Sequence, residues 1–151
     1  MRIVLQRVSR ATVTVDGSVA GSIGPGLLLL VGIEPSDTDE DVDQAAEKVV
    51  NMRVFPDGQG RMNMSLLDSG GSALVVSQFT LLGDVRKGRR PSYGGAASPE
   101  LAEPMVGRMV ERLRAAGVHT ESGVFGAAME VELVNSGPVT LVMKVNEGKV
   151  L

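Results

Sequence analysis

The sequence predicts an α/β protein in which two layers of β-strands are covered on one side by two helices. Segments of strand character lie at the beginning, the middle and the end of the chain. Two segments of helical periodicity separate them, so the order is strands, helix, strands, helix, strands. Because two helices cannot cover both faces of all these strands, we expect a three-layer β/β/α arrangement. A length of 151 residues favours a single domain, 1–151.

The first third of the chain has the pattern of strands joined by tight turns. Threonine and valine alternate over residues 12–15, and Asp16-Gly17 is typical of a two-residue hairpin turn. A second turn is predicted at residues 24–26, where the sequence is Gly-Pro-Gly. The apolar run that follows, residues 27–33, has no polar face and therefore indicates a strand buried on both sides.

Two further strand predictions concern later parts of the chain. The apolar stretch 73–82 is predicted to be one strand, although Ser77, Gln78 and Thr80 interrupt it near its end. The residues from 124 onward are predicted to form a hairpin. Alternating runs flank the sequence NSGPVT at residues 135–140, and a Gly-Pro pair is typical of a turn between strands.

The two predicted helices have recognisable start signals. The first covers residues 36–50, where Ser36 or Thr38 can cap a first turn rich in acidic residues. The second begins at Ser98-Pro99, a capping residue followed by proline at the first helical position, and it ends near Gly117. Pro104 is expected to kink or delay this second helix.

Composition narrows the possible functions. The chain has no cysteine, which excludes disulfides, thiolate nucleophiles and cysteine-ligated zinc. A net charge of −3 and an aromatic content of 3% argue against tight non-specific binding to nucleic acid and against a base-stacking surface. The longest apolar run, 27–33, is too short for a membrane helix. Polar residues interrupt the first ten positions, so we expect a cytoplasmic protein without a signal peptide or a membrane contact.

Few side chains offer catalytic chemistry. The only histidine, His119, follows the second predicted helix in a polar turn, and we interpret it as a solvated residue. The acidic cluster in residues 37–43 is interpreted as complementing the helix dipole and aiding solubility, so no metal or cofactor is predicted. From composition alone, the polar residues of SQFTL at 77–81 indicate a strand that emerges into solvent.

Longer stretches of the chain resemble one family. SQFTLL at 77–82 and NSGPVT at 135–140 are similar, in the same order, to two signatures of the D-aminoacyl-tRNA deacylases. The resemblance covers nearly the whole chain, through RIVLQRVSRATVTVDG, GLLLLVGIE, RMNMSL, RKGRRPSY and GVFGAAMEVELVNSGPVTL. Pro104 departs from it, because the family usually has a helix former there, and this concerns the helix rather than the site.

The resemblance implies an enzyme without a cofactor that hydrolyses the ester between a D-amino acid, or glycine, and the 3′ end of tRNA. It implies a homodimer in which Gly137-Pro138, with a cis peptide bond, extends across the interface into the partner's pocket. Carbonyl groups there would fix the substrate's ammonium group, and the proline would exclude L side chains. Val139 belongs to the same substrate-binding signature. Phe125 and Met129 are candidate pocket walls, with ordinary core packing as the alternative.

The catalytic residues are expected in the SQFTL segment. The main-chain N–H groups of Phe79 and Thr80 would stabilise the oxyanion, and the 2′-hydroxyl of the terminal adenosine would assist the attacking water. Thr80 is the side-chain candidate for a nucleophile or for positioning the water, although no base activates it. Gln78 and Ser77 are expected to hold the segment and the adenosine in place.

The loop after SQFTL carries a concentrated positive charge. Arg86, Lys87, Arg89 and Arg90 are predicted to contact phosphates of the tRNA acceptor stem, and a solvated loop is the alternative. Two other functions stay open at this point. One is a non-catalytic module that binds RNA or a nucleotide in the same pocket, and the other is a metal- or histidine-dependent hydrolase of small esters.

Overall fold

The computed structural model describes residues 1–151 and confirms the mixed α/β class, with a seven-stranded sheet, a two-stranded sheet and three α-helices. The strands are β1 (Arg2–Val15), β2 (Ser18–Ile23), β3 (Gly26–Gly32), β4 (Phe55–Pro56), β5 (Met62–Met64), β6 (Ser72–Ser77), β7 (Thr120–Ser122), β8 (Glu130–Asn146) and β9 (Lys149–Val150). The helices are α1 (Asp39–Asn51), α2 (Leu66–Ser69) and α3 (Pro99–Ala115), and a 3₁₀ helix covers Phe79–Leu82. No helix combines the length and the apolar composition needed to span a membrane.

The main sheet has the order β7-β6-β3-β1-β8-β9, and β2 pairs with β1 beside this path. The pairs β3–β6 and β6–β7 are parallel, whereas β1 pairs antiparallel with β2, β3 and β8. The central strands β3 and β6 are almost entirely buried. This confirms the prediction for β3, because a strand covered on both faces has no polar side to its sequence.

Two apolar clusters lie on opposite faces of β3. Leu27 and Leu29 belong to a cluster of 27 buried residues that includes the inward faces of α1 and α3. Leu28 belongs to a separate cluster of seven buried residues from β1, β2, β3 and β6. β1 contributes Ile3 to the first cluster and Val13 to the second, so this strand passes from one core to the other. The three-layer order itself stays a prediction.

The prediction of one strand over residues 73–82 is wrong beyond Ser77. β6 ends there, and the following residues form the 3₁₀ helix, in which the Leu81 N–H donates to the Gln78 carbonyl at 3.2 Å. The Gln78 N–H still bonds the Val31 carbonyl of β3, at 2.8 Å. Gly32 permits this turn, since a Cβ atom there would lie 3.0 Å from the Gln78 carbonyl oxygen. The close approach to β3, rather than the local sequence, ends the strand.

The predicted hairpin at residues 135–140 is also wrong. β8 continues through NSGPVT and pairs with β1 on both sides of it. Gln6 pairs with Thr140 and Val8 with Asn135, so β8 has four intervening residues, 136–139, where β1 has only Arg7. We refer to these four residues as the 136–139 bulge. The Gly-Pro pair therefore extends a loop from a continuous strand and does not reverse the chain.

The helix predictions need smaller corrections. α1 begins at Asp39 rather than at residue 36, because Thr38 is the N-cap and forms a capping box with Asp41. α3 begins at Pro99 as predicted and continues through Pro104, so the expected delay is wrong. A proline this close to the helix start removes only one intrahelical bond, and the buried face of α3 provides compensating packing. α2, a helix of four residues, was not predicted.

The acidic residues at the start of α1 make specific contacts. Buried Asp37 accepts a hydrogen bond of 2.5 Å from the α-ammonium group of Met1. Asp43 lies opposite Arg108 and Arg112 of α3, and each guanidinium donates two hydrogen bonds of 2.7–2.8 Å to its carboxylate. The cluster therefore connects α1 to α3 and to the first strand, in addition to complementing the helix dipole.

The Asp43 contacts predict a stability that depends on pH. Hydrogen bonds from Arg108, and less strongly from Arg112, lower the pKa of Asp43 from 3.8 to about 2. A carboxylate with a depressed pKa stabilises the folded state above its unfolded pKa, and this contribution is lost as the pH falls from about 4 to about 2. We expect Asp43→Asn to lower the free energy of unfolding by about 1 kcal/mol at pH 7, after allowance for solvent screening.

Urea denaturation across this pH range measures the effect. The difference between Asp43→Asn and the unsubstituted protein should shrink steadily below pH 4, whereas Glu47→Gln, an exposed residue on the same helix, should show no such trend. A deficit of Asp43→Asn that stays constant down to pH 2 would contradict the assignment.

Candidate active site

A cavity with a mainly apolar lining begins where β6 ends. Its volume is about 360 Å³, and nine of its 12 lining residues are hydrophobic. The walls come from the end of β3, the 3₁₀ helix, the segment before α3, the first turns of α3 and the residues after β7. The lining residues are Val31, Ile33, Ser77, Phe79, Tyr93, Ala96, Ala97, Pro99, Ala102, Val106, Phe125 and Gly126.

A smaller cavity of about 220 Å³ adjoins the first one. The two cavities share Ser77, Val106 and Phe125 as lining residues. Phe125 therefore stands between them, and both open beside the end of β6. The smaller cavity is also lined by Ser122 and Glu103, so it is more polar than the larger one.

The structure brings together three of the residues that the sequence analysis selected. Ser77, Phe79 and Phe125 line the larger cavity, although they are up to 48 positions apart in the chain. Gln78 and Thr80 do not line it, but they lie on the same turn and their side chains are hydrogen-bonded, Gln78 Nε2 donating to Thr80 Oγ1. This bond occupies the Thr80 oxygen as an acceptor and leaves its hydroxyl proton free to donate.

The side chain hydrogen-bonded to Thr80 is the Gln78 amide, which is not a base. His119 lines neither cavity, its side chain is 67% exposed, and its nearest charged partner is Glu121 at 3.9 Å. The N–H groups of Phe79 and Thr80 are the first two of the 3₁₀ helix, so they have no acceptor within that helix. The turn therefore offers main-chain donors and a threonine hydroxyl, without a general base.

Several lining residues escaped the sequence analysis. Tyr93 packs edge-on against Phe79, with ring centroids 5.1 Å apart and an interplanar angle of 74°. Ala97 is held at the cavity wall by its N–H bond to the Ile33 carbonyl, at 2.9 Å. The only local signal for Tyr93 is that it is the single tyrosine of the chain and follows the basic loop. The alanines could not be predicted from the sequence, because an alanine side chain has no functional group and contributes only to the shape of the cavity wall.

The 136–139 bulge lies away from the cavities of its own chain. Gly137 and Pro138 are exposed, and the peptide bond between them is cis. Val139 is buried in the larger core cluster, and Met129 packs against the smaller one, so neither lines a cavity in this chain.

Two side chains brace the bulge. The guanidinium of Arg7 donates to the Ser136 carbonyl at 3.0 Å and to the Val54 carbonyl at 2.6 Å. The Asn135 amide donates to the Arg7 and Val139 carbonyls, both at 3.0 Å. The bulge is therefore tied both to β1 and to the segment after α1, which restricts its movement.

The basic loop contains one arginine that is paired with a carboxylate and three basic residues that are not. Arg86 donates two hydrogen bonds of 2.7–2.9 Å to Asp84, and this pairing lowers the pKa of Asp84. Main-chain bonds between Asp84 and Ser92 close the loop. Lys87, Arg89 and Arg90 are exposed and form no salt bridge, so they carry the uncompensated charge of this segment.

Comparison with known proteins places this chain in a family. Residues 4–144 match the model of the D-Tyr-tRNA(Tyr) deacylase family. The chain is 60% identical over 141 residues to the D-aminoacyl-tRNA deacylase of Thermomicrobium roseum, covering 93% of this chain and 92% of the relative. A solved structure of the c-Myc DNA Unwinding Element Binding Protein superimposes with a TM-score of 0.88 at 38% identity, covering 95% of this chain and 98% of the other.

A second solved structure, described as a probable eukaryotic D-amino acid tRNA deacylase, has a TM-score of 0.81 at 19% identity and covers 93% of this chain and 97% of its own. This match supports the fold. The chain belongs to the D-Tyr-tRNA(Tyr) deacylase family. It is thus an enzyme of the hydrolase class, and the predicted resemblance to the D-aminoacyl-tRNA deacylases is confirmed.

Proposed function

We propose that this protein hydrolyses the ester bond between a D-amino acid and the 3′ end of tRNA, and that it accepts glycyl-tRNA as well. The observation that carries the proposal is the full-length match to the family, including relatives named D-aminoacyl-tRNA deacylase. The cavity beside the SQFTL segment supports it, because it combines an apolar lining with main-chain donors. The chain acts as a single domain, 1–151, without a cofactor.

The larger cavity receives the terminal adenosine. Phe79 and Tyr93 present aromatic surfaces on which a base can stack, and Ser77 offers a hydroxyl to the ribose. Gln78 and Thr80 hold the turn in shape through their mutual hydrogen bond. The larger cavity has a suitable volume and polarity for a nucleoside, although a small site of this kind can bind only the 3′ end of the tRNA.

The chemistry requires little from side chains. An aminoacyl ester is already activated, so water can attack it when the developing oxyanion is stabilised. The N–H groups of Phe79 and Thr80 supply that stabilisation, and removing one such donor typically costs about 100-fold or more in rate. The adjacent 2′-hydroxyl of the substrate assists the water. Thr80 positions the water through its free hydroxyl proton, in agreement with the absence of a neighbouring base.

The choice of enantiomer is made by the bulge of a second subunit. Gly137 and Pro138 reach the partner's cavities, where Phe125 forms part of the wall, while Val139 anchors the bulge in the core of its own chain. Carbonyl groups of the bulge accept hydrogen bonds from the substrate's ammonium group, while the ester is held at the 77–80 turn. An L side chain then collides with the proline ring, whereas a D side chain points outward. Glycine has no side chain and therefore avoids the collision. Steric exclusion by a rigid surface discriminates between two substrates more strongly than the loss of one methylene contact, which changes the binding free energy by about 1–3 kcal/mol.

Exposed apolar residues support a homodimer. Val142 is 75% exposed and Leu141 is 39% exposed, and both belong to β8, the strand that carries the bulge. Val4 of β1 pairs with Val142 and is only partly buried. A face with exposed valine side chains next to an exposed, braced loop is suited to contact with another copy of the chain.

The basic loop binds the acceptor stem of the tRNA. Lys87, Arg89 and Arg90 contact phosphates, and Arg86 shapes the loop through Asp84. Phosphate contacts position the substrate and are insensitive to sequence. The loop concentrates positive charge on a chain whose net charge is −3. Binding to nucleic acid that lacks a suitable 3′ end therefore stays weak.

The central prediction is a stereoselective hydrolysis that needs no metal. Purified protein should release the amino acid from D-tyrosyl-tRNA and glycyl-tRNA and leave L-tyrosyl-tRNA intact, with or without a chelator. His119→Ala should retain full activity, because that side chain lines neither cavity. Release of labelled amino acid measures the rate. Binding without release would favour the non-catalytic nucleotide-binding module, and chelator-sensitive or non-selective release would favour a metal-dependent esterase.

Subunit mixing tests whether the bulge acts across an interface. Pro138→Gly should release tyrosine from L-tyrosyl-tRNA as well as from the D form, because the excluding ring is lost. Ala96→Trp, which fills the larger cavity, should be inactive. Mixing Pro138→Gly with an excess of Ala96→Trp should restore D-selectivity, since each intact cavity then receives an intact bulge. If selectivity stays lost after the subunits have exchanged, the bulge does not act on a partner.

The basic loop predicts a change in salt dependence. Arg89→Ala combined with Arg90→Ala should weaken tRNA binding and reduce the slope of log K against log salt by about 1 to 2, as expected for losing up to two phosphate contacts. Filter binding over a series of salt concentrations measures the slope. Arg53→Ala with Arg61→Ala, an equally charged pair of exposed residues elsewhere, is the matched control. An unchanged slope in the loop variant would show that the loop is only solvated.

A further inference from the structure

Arg2, the first residue of β1, binds the end of the 3₁₀ helix that follows β6. Its Nη1 group donates a hydrogen bond of 3.2 Å to the Leu81 carbonyl. The last carbonyls of a helix have no N–H partner within the helix, and an arginine can satisfy one of them. Arg2 thereby caps the helix whose first two N–H groups, those of Phe79 and Thr80, are the oxyanion donors of the proposed mechanism.

The sheet register explains how Arg2 reaches this helix. β1 pairs with β3 so that Arg2 lies directly opposite Gly32, and residues in such a pair have their side chains on the same face of the sheet. The 3₁₀ helix lies on that face, since a Cβ atom added to Gly32 would lie 3.3 Å from the Leu81 Cβ atom. The glycine therefore leaves room for the helix, and the arginine beside it extends to the helix end.

A second contact orients the guanidinium group. Arg2 Nε lies 3.3 Å from a carboxylate oxygen of Glu34, and the main-chain N–H of Glu34 is itself bound by Asp37 at 2.6 Å. With Nε held in this way, the planar guanidinium directs Nη1 toward the Leu81 carbonyl. The Arg2 side chain is 44% exposed, and exposed ion pairs contribute little to global stability. The effect of Arg2 is therefore local to the helix end.

The catalytic segment is consequently held at both ends. At its beginning the Gln78 N–H donates to a carbonyl of β3 at 2.8 Å, and at its end Arg2 binds Leu81. The N–H groups of Phe79 and Thr80 lie between these two anchors. We propose that Arg2 is a positioning residue for the reaction, which keeps these two N–H groups directed at the developing oxyanion. This inference rests on the proposed function and deepens it.

A positioning role has a different kinetic signature from a role in tRNA binding. Oxyanion donors act on charge that develops in the transition state, so their displacement lowers kcat while the cavity still binds the adenosine. Arg2 also lines a polar groove of about 680 Å³ together with residues of the basic loop. If Arg2 bound a tRNA phosphate there, its loss would instead raise KM and reduce the salt dependence of binding.

Arg2→Met is the direct test, because methionine keeps an unbranched side chain and removes the donor. Steady-state hydrolysis of D-tyrosyl-tRNA should show a kcat about tenfold lower and a KM changed by less than about twofold, since complete loss of an oxyanion donor typically costs about 100-fold or more. Arg2→Lys, which keeps a cationic donor, should recover most of the rate. Arg10→Met, which changes an exposed arginine of the same strand, should retain wild-type kinetics.

Amide hydrogen exchange detects the displacement without substrate. The Gly83 N–H donates to the Thr80 carbonyl at 3.0 Å, and its protection should fall in Arg2→Met but not in Arg10→Met. The urea midpoint should stay close to that of the wild-type protein, because the lost contacts are exposed. A raised KM with a smaller salt slope and an unchanged kcat would overturn the positioning role and make Arg2 a tRNA contact. A loss of kcat that Arg2→Lys shares in full would also contradict the proposal.

The two levels of inference fail differently. If the wild-type protein hydrolyses D-tyrosyl-tRNA and Arg2→Met does so with the same kcat, only the role of Arg2 is refuted. If the wild-type protein hydrolyses no aminoacyl-tRNA, the proposed function fails, and the role of Arg2 fails with it.

Discussion

The antiparallel pairing of β1 with β8 is the constraint on which the rest of the arrangement depends. β1 pairs with β3 on its other edge, and β3 pairs with β6, whose end forms the cavity wall. From the pair Arg2–Lys144 to the pair Arg10–Val134, β8 uses two more residues than β1, because the bulge adds three and a second irregularity, between Val8 and Arg10, removes one. The excess of two is even, so side chains beyond the bulge keep their inward or outward direction.

The bulge is consequently a projecting segment on an otherwise regular strand. Arg7 is the single residue of β1 opposite it, and its guanidinium satisfies the carbonyls of Ser136 and Val54 that the ladder cannot pair. Asn135 satisfies two more. An exposed loop held by four hydrogen bonds loses little further entropy when it contacts another molecule, and this makes it suited to a role that depends on shape.

The charges of the molecule are separated by function. The acidic residues around α1 are bound to arginines, to a terminal ammonium and to main-chain N–H groups, so they serve the stability of the fold. The basic loop leaves Lys87, Arg89 and Arg90 uncompensated, whereas no charged residue lines the larger cavity. In such a layout a polyanion is attracted to the basic loop, while the lining of the larger cavity stays apolar.

The sequence by itself determined the α/β class, the two long helices, the buried strand β3 and the family, because periodicity, caps and signature segments are local properties. It did not determine where β6 stops or that β8 continues through Gly137-Pro138, since the neighbouring strands β3 and β1 decide both. Nor could it assemble the cavity. Ser77 and Phe79 were selected from a signature segment and Phe125 as a candidate pocket wall, whereas Tyr93 and Ala97 have ordinary local surroundings. Only folding brings these distant positions to one wall, because a cavity is a property of packing between elements and has no period along the chain.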